Sequence, residues 1–187
     1  MFEKVWHKKL CKAAHYQLCA NYKHPKVAGY IAAQVAGGVF GAALVWLTYY
    51  PHWKETQDSA AKLSVFCTVP AIRCPLANVF CEFTGTAVLV FGALAIPSTH
   101  NFTRPGWGTG LGPLLIGLLI FAIGLSLGGP TGYAINPARD LGPRLMHALL
   151  PIPGKRDSDW GYALVPVVGS ICGGVLAAVV YGLQMAH

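Results

Sequence analysis

Charge is scarce in this chain, and that scarcity narrows its class before any motif is considered. Asp, Glu, Lys and Arg together make up 11% of the 187 residues, where an ordinary soluble domain carries roughly 25%. With 54% hydrophobic residues and so little charge to cover a surface, a single membrane domain is expected. Acidic residues are scarcest, seven against fourteen Lys and Arg, which leaves a net charge of +7. The basic residues follow no nucleic-acid-binding motif, so nucleic acid is not an expected partner. Ordered cysteine chemistry is missing as well. Cys11, Cys19, Cys67, Cys74, Cys81 and Cys172 form no Cys-x-x-Cys pair. The histidines lack ligand partners at helical spacing, so neither a metal nor a cofactor is expected. Cys67 and Cys74 share one loop, where free thiols are preferred to a disulfide. No apolar core with a cleavage site follows the basic start, which argues against a secretory signal. Nor is the chain expected to be an enzyme.

What is present is a set of long apolar runs. Residues 27–50, 76–96, 112–128 and 160–184 each approach the roughly 20 residues that cross a bilayer as a helix. The second run holds one acid, Glu82. A carboxylate at that depth is costly against lipid, so it is expected to face inward. It is either a proton or ion site or an acceptor for backbone N–H groups of an irregular neighbouring loop, and the second role is preferred. Residues 51–75 read as a polar loop whose 65–69 portion is apolar and dips back towards the membrane. Residues 97–111 form a short loop with Arg104 and an Asn101-Phe102-Thr103 sequon.

Six lysines (Lys4, Lys8, Lys9, Lys12, Lys23 and Lys26) crowd residues 1–26. This reads as a cytoplasmic segment facing anionic lipid, which sets the N-terminus inside. Phe2, Trp6 and Leu10 give it either the apolar side of an interfacial helix or part of an unstructured tail. The remainder, 27–187, reads as one membrane domain.

The stretch 124–144 breaks the pattern, because it mixes glycine, proline, an amide and charges between two apolar runs. Asn136 suits a helix N-cap, and Pro137 suits the first helical position, where its missing N–H costs nothing. A helix over 138–149 has Leu141, Leu145, Met146 and Leu149 as an apolar side. It would rise roughly 18 Å, well short of the roughly 30 Å hydrocarbon core. A helix that short between spanning helices reads as a re-entrant half-helix. Broken backbone at membrane depth is tolerated where protein buries it or a watery cavity meets it. A pore or binding site is therefore expected here.

The first and last runs repeat one another. Gly29, Tyr30, Val35, Gly37, Gly41, Leu44 and Tyr49 match Gly161, Tyr162, Val167, Gly169, Gly173, Leu176 and Tyr181 at an offset of 132 residues. The two helices would cross in opposite directions, as in an inverted-topology repeat, which places its site between halves. Residues 76–184 make a complete repeat, and 27–50 make the last helix of another.

At these residues a family resemblance emerges. Gly132-Tyr-Ala-Ile-Asn-Pro-Ala-Arg-Asp140 resembles the second Asn-Pro-Ala loop of the aquaporin superfamily of major intrinsic proteins. Asp140, directly after Arg139, resembles the glycerol-conducting aquaglyceroporin branch. Cys81-Glu-Phe-Thr-Gly-Thr86 resembles the start of the family's first and fourth helices. The resemblance covers roughly residues 20–184. It implies an all-α, aquaporin-like membrane protein with four spanning helices plus one re-entrant half-helix, matching helices three to six of a six-helix fold. Helices one and two and the first Asn-Pro-Ala loop find no match, so an N-terminally truncated member is expected.

The implied function is a passive channel for glycerol, water and similar small neutral solutes, assembled as a tetramer in lipid and placed in the plasma membrane. The alternative is a transport-incompetent chain that associates with full-length subunits. In the channel, residues 128–135 would run extended and point carbonyl oxygens at the solute. The Asn136 amide would donate from the half-helix N-terminus, where the dipole discourages cations. Arg139 would donate two hydrogen bonds to hydroxyls or water, and Tyr133 would form a greasy wall. Gly124 matches a position the family keeps small to widen its filter. Pro137 and Ala138 complete the motif, and the family's aspartate at Asp140 is chiefly structural. The plainer readings are that Arg139 merely neutralises Asp140 and that Tyr133 is interfacial packing.

Overall fold

A computed structural model describes residues 25–98 and 107–185. The expected basic cytoplasmic segment, with its interfacial apolar side, and the Asn101 sequon with Arg104 lie outside these residues. The described residues are helical without strands. In chain order they form α1 (Pro25–Thr48), α2 (His52–Glu55), α3 (Ser59–Ser64), α4 (Pro75–Ala95), α5 (Trp107–Thr131), α6 (Pro137–Leu149) and α7 (Leu164–Gln184). Four of them, α1, α4, α5 and α7, are long and apolar enough to cross a membrane, as the sequence predicts. At 13 residues, α6 is too short.

Two helix pairs carry most of the packing, α4 against α7 and α1 against α6. Both depend on glycines that bring backbones together. A Cβ on Gly169 of α7 would sit 2.8 Å from the Val79 carbonyl oxygen of α4, and one on Gly173 would collide with the Phe83 carbonyl. Where α1 crosses α6, a Cβ on Gly142 would lie 2.9 Å from the Val35 carbonyl oxygen. In each case the missing side chain lets helices approach at backbone distance.

The repeat that joins α1 to α7 in sequence is not matched in packing. Gly37 and Gly41 correspond to Gly169 and Gly173, yet they have open space where a Cβ would be. Of the most apolar window of α1, 6% is buried, against 39% for α7.

The 51–75 segment is more ordered than a polar loop. Asp58 caps α3 by accepting the backbone N–H groups of Ala60 and Ala61 at 2.8 and 3.2 Å. Trp53 and Phe66 stack with ring centroids 5.6 Å apart. With Ala42, Leu63, Cys67 and Ile152 they form a buried apolar cluster. The apolar 65–69 portion thus closes onto protein.

The expected apolar side of α6 is divided: Leu141 and Met146 are half-buried, with Met146 packed against the apolar cluster. The buried residues of α6 are Ala138, Asp140, Gly142, Arg144 and His147, whereas Leu145 and Leu149 are exposed. The polar groups are buried because Thr68, Ser158 and Asp159 supply their partners.

Candidate functional site

The site is built where α5 ends and α6 begins. Helix α5 continues to Thr131, and the Gly132 N–H still donates to the Gly128 carbonyl at 2.8 Å. The expected extended run from Gly128 is therefore corrected to a four-residue loop, 132–135. The bond at Gly128 keeps the last turn helical past Pro130. Gly132, Tyr133 and Ile135 take positive φ values of 77°, 39° and 42°. For a tyrosine and a β-branched isoleucine this conformation is strained, by about 1–3 kcal/mol each.

Glu82 of α4 holds that strained loop. It is 1% exposed. One carboxylate oxygen accepts the Thr131 hydroxyl at 2.6 Å and the Ala134 N–H at 3.0 Å, and the other accepts the Ile135 N–H at 2.8 Å. Three residues on, Gly85 leaves room for Ile135, since a Cβ there would lie 3.0 Å from the isoleucine Cγ2. The Thr86 hydroxyl donates to the Glu82 carbonyl at 2.7 Å. Glu82 and Gly85 thus form one cradle for the loop. Both carboxylate oxygens are engaged, which favours a backbone acceptor over an ion site.

Asn136 then starts α6. Its side-chain oxygen accepts the Ala138 N–H at 2.9 Å, and Pro137 takes the first helical position. Its amide nitrogen donates to the Gln34 side-chain oxygen of α1 at 3.1 Å. A cavity of about 410 Å³ lies between α1 and α6, lined in part by Gln34, Asn136, Ala138 and Arg139. Arg139 is exposed. It has no hydrogen bond or ion pair among the described residues, so its donors face open space.

Asp140 pairs with Arg144, not Arg139. The two make an i,i+4 pair on α6 with both side chains fully buried. Arg144 Nε and Nη2 donate to the two Asp140 oxygens at 2.8 Å each. Its Nη1 donates to the Ser158 and Asp159 carbonyls, and Nη2 also to the Thr68 carbonyl. Asp140 further accepts the Thr68 N–H and hydroxyl at 2.9 and 2.6 Å. At the far end, Lys155 Nζ donates to the carbonyls of His147, Ala148 and Leu150, a favourable place for a cation at a helix C-terminus.

Gly124 and Tyr133 meet each other and not the cavity between α1 and α6. A Cβ on Gly124 would be 3.1 Å from the tyrosine ring, and one on Gly128 equally close. The ring remains 38% exposed, an apolar surface beside the loop. Sequence reasoning missed Gln34, Thr68 and Arg144. Gln34 was signalled as the lone carboxamide in α1, and Arg144 by its spacing from Asp140. Nothing in the sequence signalled Thr68. The four described cysteines are free, with Cys67 buried and Cys74 exposed. No cluster of metal ligands occurs among the described residues.

Residues 15–181 match the family model described as major intrinsic protein. The chain belongs to the major intrinsic protein family. It is 60% identical over 156 residues to a probable glycerol uptake facilitator protein of Thermotoga maritima, covering 83% of this chain and 64% of that one. It is 58% identical over 161 residues to a glycerol uptake facilitator protein of Bacillus subtilis, covering 86% of this chain and 57% of that one. Against a glycerol uptake facilitator of Lactiplantibacillus plantarum the identity is 54%, over 82% of this chain and 62% of the relative. The chain thus spans 57–64% of the length of these relatives. Among solved structures, the aquaglyceroporin from Plasmodium falciparum superposes with a TM-score of 0.73 at 23% identity, over 93% of this chain and 68% of that one. This major intrinsic protein is thus an all-α integral membrane protein with the aquaporin-like fold, four spanning helices and one re-entrant half-helix.

Proposed function

We propose that this chain acts as a passive channel for glycerol, water and similar small neutral solutes. The observation that carries this reading is the donor pair on the cavity wall, Asn136 and Arg139, with Arg139 exposed and unpaired among the described residues. A neutral polyol presents hydroxyl oxygens that accept from both, and Tyr133, outside this cavity, is a separate apolar surface for the carbon chain elsewhere on the path. Gly124 makes the space in which that ring sits. The half-helix N-terminus adds the positive end of its dipole, which disfavours cations. Pro137 and Ala138 supply the abrupt helix start that aims these groups. Glu82 and Asp140 hold the loop and helix in place without touching solute. The names of the relatives support glycerol as the solute. A tetramer in the plasma membrane with the N-terminus in the cytoplasm completes the proposal.

A second reading, association with another membrane helix, is favoured by the open Gly37 and Gly41 face. Their repeat partners, Gly169 and Gly173, receive α4, so a helix like α4 is the matching occupant. Stopped-flow swelling of proteoliposomes in a glycerol gradient separates the readings. Channel activity by this chain predicts permeability above empty vesicles; inserted protein with none leaves association as its role.

A further inference from the structure

We propose that His147 makes the C-terminal end of the half-helix a clasp that acid opens, loosening the helix that carries Asn136 and Arg139. Its effect on transport rests on the channel reading; the clasp itself does not. His147 and Arg144 lie one turn apart on α6 and both hold residue 158. The His147 Nδ1 bonds the Ser158 hydroxyl at 2.8 Å, and Arg144 Nη1 donates to the Ser158 carbonyl at 2.7 Å. The imidazole also packs on the Phe66 ring, with centroids 5.6 Å apart. Phe66 in turn lines the cavity that Arg139 borders. His147, fully buried, thus joins α6, the stretch that enters α7 and the stretch after α3.

This place suits a neutral ring and not a charged one. Nε2 is buried with no hydrogen-bond partner among the described residues. A protonated imidazole carries an N–H on both nitrogens, so charging it in place would bury a cationic donor without an acceptor. It would also add a third cation beside Arg144 and Lys155, whose Nζ already sits 2.7 Å from the His147 carbonyl. The nearby acids are engaged elsewhere. Asp140 is taken by Arg144 and Thr68, and Asp159 by Arg73. Asp157, which favours the charged ring, accepts the Asp159 N–H. From the stretch after α3, Phe66 has no charge and Cys67 is a neutral thiol. Burial first, then Lys155 and Arg144, bring the imidazole down from 6.5 to about 4. A ring swung into water protonates near its ordinary value of about 6.5. The open clasp therefore binds a proton that the closed one refuses, so closure is complete above that value and weakens as the pH falls towards the lower one. From pH 7.5 to 5.5 the open population rises about tenfold.

The test uses the full chain in lipid nanodiscs and reads hydrogen-exchange protection, with the intrinsic pH dependence of exchange divided out. The reporters flank the clasp: the Leu150 N–H, bonded to the Met146 carbonyl, and the Tyr162 N–H, bonded to the Asp159 carbonyl. The Ile96 N–H, bonded to the Gly92 carbonyl of α4, is the control. His147→Asn keeps a polar atom for Ser158 and His147→Phe keeps the ring shape, and neither can take a proton. The expected result is about tenfold lower protection of Leu150 and Tyr162 at pH 5.5 than at 7.5 in the wild type, with Ile96 unchanged. Both variants lose that pH dependence. Protection that does not change with pH in the wild type overturns the proposal, as does an equal fall in the variants or an equal fall at Ile96. In proteoliposomes the same pH step lowers glycerol permeability of the wild type and not of the variants. A conducting wild type with equal permeability at both pH values overturns the effect on transport. If the wild type conducts nothing, the channel reading fails, and exchange still decides whether acid opens the clasp.

Discussion

Arg144 is fully buried and donates to the Asp140 carboxylate and three backbone carbonyls, whereas Arg139, on the same short helix, is exposed on a cavity with no hydrogen-bond or ion-pair partner among the described residues. One side chain type serves two ends because α6 presents two polar faces. The first ties the half-helix to the loops around Thr68 and Ser158. The second borders the cavity between α1 and α6. A guanidinium with every donor matched ties its surroundings together, and one with unmatched donors keeps them free for solvent or a ligand. The contrast dismisses the plainer reading of Arg139, since the charge of Asp140 is already met by Arg144.

The comparison breaks most severely at Arg144. Arg144→Met leaves Asp140 buried without its cation, and a loss of about 3–5 kcal/mol is expected, read as a lowered unfolding midpoint in detergent. Adding Asp140→Asn recovers part of that loss, because the uncompensated charge goes with it. Next comes the loop that Glu82 holds. Glu82→Gln keeps the shape but turns one acceptor into a donor facing an N–H, at a cost of about 1–3 kcal/mol; hydrogen exchange at Ala134 and Ile135 accelerates. Lys155→Met frees three carbonyls at the half-helix end and costs about 0.3–1 kcal/mol, read by the same unfolding assay. The smallest effect is chemical. Burial pushes the Cys67 thiol up to about 12, against the opposing pull of Arg144, so at pH 8 it stays a thiol. Cys74, which is exposed, labels with maleimide while Cys67 does not, until Arg144→Met loosens the packing around it.

How much of this was legible depends on what each residue answers to. The four spans follow from local composition, and so did the half-helix, because Asn136 and Pro137 act on their own first turn. Glu82 faces inward, as the cost of burying a charge requires, and accepts from the irregular loop whose presence favoured the acceptor role. Three features were not legible. The loop is four residues long because the last turn of α5 persists through Pro130, and nothing local says where a helix near its end yields. The buried face of α6 is polar because Thr68, Ser158 and Asp159, distant in sequence, converge on Arg144. Gln34 and Asn136 lie on helices far apart in the chain, and their meeting depends on the Gly38–Gly142 crossing.

The division between the two arginines is tested most directly by the ratio of glycerol to water permeability in Arg139→Ala proteoliposomes, set against the wild-type chain. Loss of an exposed, unpaired side chain leaves the fold within about 0.5 kcal/mol of the parent, so any change in transport reads the cavity wall. The expected result is a ratio lowered by about tenfold, as when a charged hydrogen-bond donor is removed from a bound hydroxyl. A conducting wild type whose ratio is unchanged by Arg139→Ala would contradict the assignment of Arg139 to the solute.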